Sequence, residues 1–145
     1  MFKKIVVDSS VILKWLYRED EKFLKQADFL LQQALDGKVA LLAPELAKYE
    51  VGNVLLRAKQ LYEDQGRETL SVFYSIPIHF VTESFELSKQ AFGIGVKSGI
   101  TYYDAAFVAL TKQERATLIT DNPKHQTRIP GIKVVPLREY KETKF

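Results

Sequence analysis

The chain has 145 residues, of which 46% are hydrophobic and 27% charged, and this composition predicts one globular domain with a sizeable core. The absence of cysteine excludes a disulfide framework and a thiolate metal site, so any metal would need oxygen or imidazole ligands. No apolar run approaches the roughly 18 residues of a membrane span, and the apolar start at residues 5–7 is too short for a signal peptide. We therefore expect a cytoplasmic protein with no membrane partner.

The charge balance is mildly basic, with 21 Lys and Arg side chains against 18 Asp and Glu side chains. A net charge of +3 does not by itself indicate nucleic-acid binding. If four of the 18 acids surrounded cations, the remaining surface would carry 21 basic against 14 acidic side chains. That surface would suit a polyphosphate partner.

A short β-branched run at residues 5–7 predicts a buried strand, and Asp8 follows it directly. Ligands of open parallel sheets bind beyond the carboxyl ends of the strands, which makes Asp8 a candidate site residue. Asp is also a good N-cap residue. Both interpretations of Asp8 are open at this point.

Residues 11–17 predict a short helix, which Ser9 or Ser10 could cap. Trp15, the single tryptophan, lies among apolar neighbours, and we assign it to the core rather than to base stacking. The apolar periodicity of residues 20–36 predicts a second helix. A second buried strand is predicted at residues 39–43, and the proline at position 44 suits the first turn of the next helix.

That next helix is predicted over residues 45–63 and contains Glu50 at the margin of its apolar stripe. A carboxylate in such a position is costly unless something compensates its charge. One alternative is an ion pair with Arg57 or the neighbouring Lys48. The other is membership of an acidic site.

The middle of the chain predicts a helix at residues 67–75, a strand at residues 78–82 and a helix at residues 83–96. Gly93 and Gly95 make the end of the last helix ragged. Helices and strands thus alternate along the chain. This alternation predicts an α/β protein with a mostly parallel sheet.

Residues 105–110 are apolar on every side and predict a buried helix, with Asp104 in its first turn. Thr101, three residues earlier, resembles the first residue of a capping box. A helix N-terminus also stabilises an ionised carboxylate. Asp104 could therefore be a cap residue or a metal ligand.

Residues 116–120 predict a fourth buried strand, and Asp121 follows it. A last strand is predicted at residues 132–135, at an edge of the sheet because Pro130 and Pro136 flank it. We expect the charged tail from residue 138 onward to be frayed.

Four acids, Asp8, Glu50, Asp104 and Asp121, thus occupy strand ends or awkward helix positions. Four carboxylates in one crevice would repel one another unless cations neutralised them. Mg²⁺ or Mn²⁺ prefers oxygen ligands and keeps several waters. Two ions about 4 Å apart could activate a water for in-line displacement at phosphorus, which implies phosphodiester hydrolysis.

Four segments resemble the PIN-domain family, particularly the VapC-type toxin ribonucleases of bacterial and archaeal toxin–antitoxin pairs. They are IVVDSSVILKWL, PELAKYEVGNVLLR, GITYYDAAFVALTK and LITDNPKHQ, in family order across nearly the whole chain. The resemblance implies a three-layer α/β fold with a mostly parallel central sheet flanked by helices. It also implies a Mg²⁺-dependent endoribonuclease, with Mn²⁺ able to substitute, that acts as the toxin of a type II pair.

By the same resemblance, Asp8, Glu50, Asp104 and Asp121 are the metal-binding catalytic acids, and Ser10 resembles a small hydroxyl residue that supports the centre. Two features depart from the family pattern. Thr120 is adjacent to Asp121, whereas the family commonly has one residue between its Thr and its Asp. The role of Thr120 is therefore open. The positions where some relatives carry a further acid hold Asn122, Lys124 and His125.

The implied partners are RNA and an antitoxin whose amphipathic helix would occupy a groove. Its candidate lining residues are Leu16, Phe23, Leu55 and Tyr62. Homodimerisation through helices is a further expectation, since C2 pairs are the commonest oligomers. Candidates for a basic rim are Lys14, Arg18, Arg57, Lys97, Lys124 and Arg128, and His125 could contact phosphate. The alternatives are a housekeeping PIN nuclease and a non-catalytic PIN-like binding module.

Overall fold

The structure is a computed structural model that describes residues 3–124 and 129–141. Its strands are β1 (Lys3–Val7), β2 (Val39–Pro44), β3 (Ile78–Val81), β4 (Thr117–Thr120) and β5 (Lys133–Pro136). Its α-helices are α1 (Ser9–Leu16), α2 (Leu24–Leu35), α3 (Leu46–Asn53), α4 (Glu63–Ser75), α5 (Phe85–Ser98) and α6 (Tyr102–Glu114). No helix in these ranges is long and apolar enough to cross a membrane.

The five strands form one parallel sheet in the order β3-β2-β1-β4-β5. Strand β1 is central because its residues 5–7 are apolar and fully buried, as a strand covered on both faces requires. The predicted α/β class is confirmed, and the sheet is entirely rather than mostly parallel within the described residues. The predicted edge position of β5 is also confirmed. All carboxyl ends therefore lie along one side of the sheet.

Helix α6 contains an unbroken buried stretch, with residues 105–110 at most 4% exposed. It packs against β1, β2, β4 and α5, which explains why its sequence lacks a polar face. Helix α1 packs against α2, α3 and β4. Trp15 of α1 lies in the core as predicted, and its Nε1 donates to the carbonyl oxygen of Ala27 at 2.7 Å.

Several predicted boundaries were wrong for identifiable reasons. The cap of α1 is Asp8, whose side chain accepts from the Ser10 amide, and not Ser9 or Ser10, which are helical. Pro44 ends β2 instead of opening a helix. The single helix predicted over residues 45–63 is α3 followed by a π-helical segment at Val54–Ala58.

Further along the chain, the glycines of α5 do not fray the helix. Gly93 and Gly95 lie inside it, and Gly99 ends it in a left-handed conformation with φ of +65°. The prediction of a frayed tail was wrong for its first residues. Leu137–Glu139 form a 3₁₀ turn, and Tyr140 is buried against Phe29. Residues 142–145 lie outside the described residues.

Candidate active site

Asp8 lies where β1 passes into α1, at the carboxyl edge of the sheet. Its backbone amide donates to the carbonyl oxygen of Ile119 at 3.0 Å, which joins it to the end of β4. Its Oδ2 accepts from the Ser10 amide at 3.3 Å, the Ser10 hydroxyl at 2.5 Å and the Thr120 hydroxyl at 3.2 Å. The capping and site interpretations are therefore compatible, since one carboxylate caps α1 and faces the strand ends.

Ser10 and Thr120 connect Asp8 to the turn after β4. Ser10 Oγ accepts from the amide of Asp121 at 3.1 Å, and Thr120 Oγ1 accepts from the amide of Asn122 at 3.0 Å. Each hydroxyl thus donates to Asp8 and accepts from that turn. The structure places Ser10 between Asp8 and Asp121. Thr120, whose role the sequence left open, lies in the same way between Asp8 and Asn122.

Glu50 reaches this region from α3 and is half-buried. Its Oε1 accepts from the Ser9 hydroxyl at 2.8 Å. Burial raises the pKa of Glu50, the Ser9 hydrogen bond opposes that rise, and the charges of Asp8 and Asp104 add to it. No ion pair of Glu50 with Arg57 or Lys48 is present among the described residues; Lys48 pairs with Glu45 instead.

Asp104 lies in the first turn of α6. The Thr101 hydroxyl caps this helix by accepting from the Asp104 amide at 3.1 Å, so the predicted cap is present. The donor of that hydrogen bond is the backbone amide of Asp104, so the Asp104 carboxylate takes no part in it. Its negative charge is also favoured by the helix N-terminus.

Three carboxylates are close enough to repel one another. Burial raises the pKa of Asp8, hydrogen bonds from Ser10 and Thr120 oppose the rise, and the charge of Asp104 adds to it. The charges of Asp8 and Asp104 also add to the rise that burial causes in the pKa of Glu50. The structure therefore brings Asp8, Glu50 and Asp104 into one electrostatic cluster.

Asp121 has a different environment from these three acids. Its Oδ2 lies 3.1 Å from Nζ of Lys14, and Lys14 Nζ also lies 2.9 Å from Oε2 of Glu21. Burial disfavours the charge of Lys14, but these two hydrogen bonds prevail and raise its pKa. With 2% of its side chain exposed, Lys14 cannot belong to a basic rim, and that prediction was wrong.

The sequence contains a signal for the burial of Lys14. The buried residues of α1 include Val11, Ile12 and Trp15, and Lys14 shares their helical face. A buried lysine needs a nearby anion, and the partly exposed carboxylates of Asp121 and Glu21 supply it. His125 and Arg128, the other residues assigned to phosphate contact or the rim near this turn, lie outside the described residues.

A hard divalent cation fits the donor set. The cluster supplies carboxylate oxygens, and a bound cation would favour their ionised forms against the burial and the mutual repulsion that raise the pKa of Asp8 and Glu50. In residues 3–124 and 129–141, no three His, Cys, Asp or Glu side chains are close enough together to hold one ion. Mg²⁺ is commonly bound by one or two carboxylates with waters, so this spacing does not exclude it.

Carboxylates gathered at the carboxyl edge of a parallel sheet are typical of α/β proteins that bind hard cations. The chain belongs to the PIN-domain family, whose sequence model matches residues 5–131. It is 33% identical over 136 residues to Ribonuclease VapC3 of Pyrobaculum aerophilum, covering 89% of this chain and 97% of that protein. The resemblance inferred from the four segments is confirmed.

Solved structures show the same fold. VapBC2 from Rickettsia felis, bound to a promoter DNA fragment, matches with a TM-score of 0.73 and 15% identity, over 92% of this chain and 98% of that chain. VapC20 of Mycobacterium tuberculosis, a toxin that cleaves the sarcin–ricin loop, matches with a TM-score of 0.66 and 11% identity, over 85% and 93%.

Proposed function

We propose that this chain is a cytoplasmic, metal-dependent endoribonuclease that acts as the toxin of a type II toxin–antitoxin pair, and that the whole chain is one PIN domain. The observation that carries the nuclease proposal is the cluster of Asp8, Glu50 and Asp104 at the strand ends. The chain is similar to a named ribonuclease over 89% of its length, and this similarity supports the hydrolysis of RNA phosphodiester bonds as the reaction of the cluster.

The metal we propose is Mg²⁺, with Mn²⁺ able to substitute, as one or two ions that are each held by one or two of the acids Asp8, Glu50, Asp104 and Asp121 together with waters. When bound, such an ion supplies a more acidic water and stabilises negative charge on the phosphate. The preference for these ions follows from ligands that are all carboxylates in a chain without cysteine.

The remaining catalytic work falls to the side chains that hold the acids. The hydroxyls of Ser10 and Thr120 donate to Asp8, and the hydroxyl of Ser9 donates to Glu50. These bonds favour the ionised carboxylates against the effect of burial. They also fix the direction of each carboxylate before substrate arrives, which spares the reaction that ordering cost.

Exposed basic side chains remain as candidates for contacting the RNA backbone. Arg57, Lys97 and Lys124 are exposed, and Arg18 is exposed too, but its charge is already paired with Asp28 at 2.8 Å. A substrate phosphate near the acids would gain from such cations as well as from the bound metal. We therefore keep these three exposed residues, and not Lys14 or Arg18, in the proposed rim.

The proposed antitoxin site is an apolar cavity of about 280 Å³ beside the π-helical segment and α4. Leu55, Leu61 and Tyr62 line it, and Tyr62 is 79% exposed. The predicted groove residues Leu16 and Phe23 pack against the core and do not line this cavity. An amphipathic helix with apolar residues at helical spacing suits such a groove.

We also propose a homodimer formed through α5. Phe85, Phe92 and Val96 are 74%, 66% and 70% exposed and are spaced by seven and four residues, so they lie on one helix face. Exposed apolar side chains on a common face are typical of interaction surfaces. A C2 pair would cover the same face of both copies.

The cleavage experiment compares the purified chain with its Asp104→Asn variant on total RNA in Mg²⁺, in Mn²⁺ and in excess chelator. Asn keeps the shape of the side chain and the helix N-terminus but removes the charge. We expect cleavage by the wild type in either metal, none in chelator, and a loss of about 100-fold or more in the variant. Equal cleavage by both proteins, or cleavage in chelator, would refute the mechanism.

The toxin assignment is tested in cells. Expression of the chain alone should stop growth, and co-expression with the neighbouring gene product should restore it, while Asp104→Asn should be harmless. Tyr62→Asp should abolish restoration but leave cleavage intact. A chain that cleaves RNA in vitro yet leaves growth unaffected would be a housekeeping PIN nuclease instead.

A further inference from the structure

One lysine side chain is buried beside the acids at the carboxyl edge of the sheet. The Lys14 side chain is 2% exposed, and its Nζ lies 3.1 Å from Oδ2 of Asp121 and 2.9 Å from Oε2 of Glu21. An apolar residue on this buried face of α1 would commonly be as good for stability, because desolvating a charge is costly. The presence of a lysine here calls for a reason besides packing.

The position of Lys14 on α1 suggests that reason. Ser10 and Lys14 are four residues apart and therefore share one helix face. Ser10 Oγ accepts from the backbone amide of Asp121, and Lys14 contacts its carboxylate. The backbone amide and the carboxylate of Asp121 thus both contact side chains of α1, the helix that Asp8 caps.

Lys14 is itself held from the other side. Glu21 also faces Lys59, whose Nζ lies 3.5 Å from Oε1 of Glu21 and 4.5 Å from the ring centre of Tyr17. Glu21 therefore lies between two lysines, and only Lys14 goes on to contact Asp121. This arrangement supplies a natural control, because Lys59 lies one ion pair farther from the site.

We propose that Lys14 is a positioning residue that directs the Asp121 carboxylate towards Asp8. The proposal rests on the nuclease function proposed above. It explains why Asp121, unlike Glu50, has a lysine as its counter-charge.

The test compares Lys14→Met, Lys14→Arg and the control Lys59→Met. For each variant we would measure kcat and KM for an RNA substrate and Mn²⁺ binding by calorimetry, after a thermal melt shows a folded protein. Lys14→Met should lower kcat by about 10- to 100-fold with little change in KM, because misplacing a reacting group costs that much. Its Mn²⁺ affinity should fall several-fold. Lys14→Arg should recover most of both, and Lys59→Met should resemble the wild type.

A second comparison uses the Asp121→Asn background, and Lys14→Gln replaces Lys14→Met in both backgrounds if Lys14→Met does not fold. Asp121→Asn leaves Lys14 without its catalytic partner, so adding Lys14→Met to that variant should change neither residual kcat nor Mn²⁺ affinity. Wild-type values in folded Lys14→Met, losses of equal size in Lys59→Met, or a further loss in the double variant would overturn the proposal. If the wild type cleaves no RNA, the nuclease proposal fails, and Mn²⁺ binding still decides the role of Lys14.

Discussion

Replacing Asp8 separates its structural role from its role as a charge. Its Oδ2 caps α1 and accepts from the hydroxyls of Ser10 and Thr120, and Thr120 is fully buried. Asp8→Asn retains a cap residue and an acceptor oxygen but removes the charge. Asp8→Ala removes the charge, the cap and the acceptor together, so the difference between the two variants isolates the hydrogen bonds.

Those hydrogen bonds give the expected size of the difference. Losing a helix cap costs about 1 kcal/mol, and leaving a buried donor without a partner costs about 1 kcal/mol or more. The Ala variant should therefore be about 2 kcal/mol less stable than the Asn variant, or roughly 4 to 8 °C lower in Tm for a domain of this size. RNA cleavage should fall by about 100-fold or more in both variants.

Thermal melts in chelator across pH 3 to 8 provide the assay, at about half-unit steps. Because burial and Asp104 raise the pKa of Asp8, the wild type should lose stability as pH rises from about 3.9 through the raised value. Asp8→Asn lacks this loss, so its advantage should be largest at neutral pH and vanish in acid. Equal Tm values for Ala and Asn, or an Asn advantage that grows in acid, would refute this reasoning.

Three further predictions concern Trp15, bound Mg²⁺ and Glu21. Trp15→Phe removes the donor to Ala27 and should cost at least about 1 kcal/mol in denaturant melts without changing cleavage. Mg²⁺ at about 100 times its Kd should stabilise the wild type by about 2.7 kcal/mol, and Asp8→Asn should show a much smaller rise in Tm. The Lys14 hydrogen bond lowers the pKa of Glu21, so the stability it adds is present above about pH 4.3 and is lost as pH falls through the folded pKa. Glu21→Gln should flatten the acid limb of the stability profile.

Local signals predicted the position of Asp8 at a strand end better than they predicted the element boundaries. Asp8 was identified because a buried β-branched strand ends at it, and the two interpretations of that position proved to be compatible. The break after α3 is not predicted because the sequence there shows no local signal for it. The sequence there keeps an apolar stripe through Leu55, while the backbone leaves α-helical geometry in the π-helical segment at Val54–Ala58.

Residues whose role depends on distant contacts were the hardest to place. Lys14 was assigned to the surface because lysine usually lies there, yet its partners are 7 and 107 positions away in the chain. Thr120 could not be interpreted until the hydrogen bond to Asp8 was visible. Tyr140 is buried for the same kind of reason, since Phe29 of α2 contacts its ring.

The location of a bound metal tests the proposed centre most directly. Crystals grown with Mn²⁺ would show the ion through its anomalous scattering. We predict a peak at the carboxyl edge of the sheet with Asp8 and at least one of Glu50, Asp104 and Asp121 as ligands, and no such peak in Asp8→Asn crystals. A Mn²⁺ peak bound elsewhere with this edge empty, or one that survives Asp8→Asn unchanged, would contradict a metal centre built on these acids.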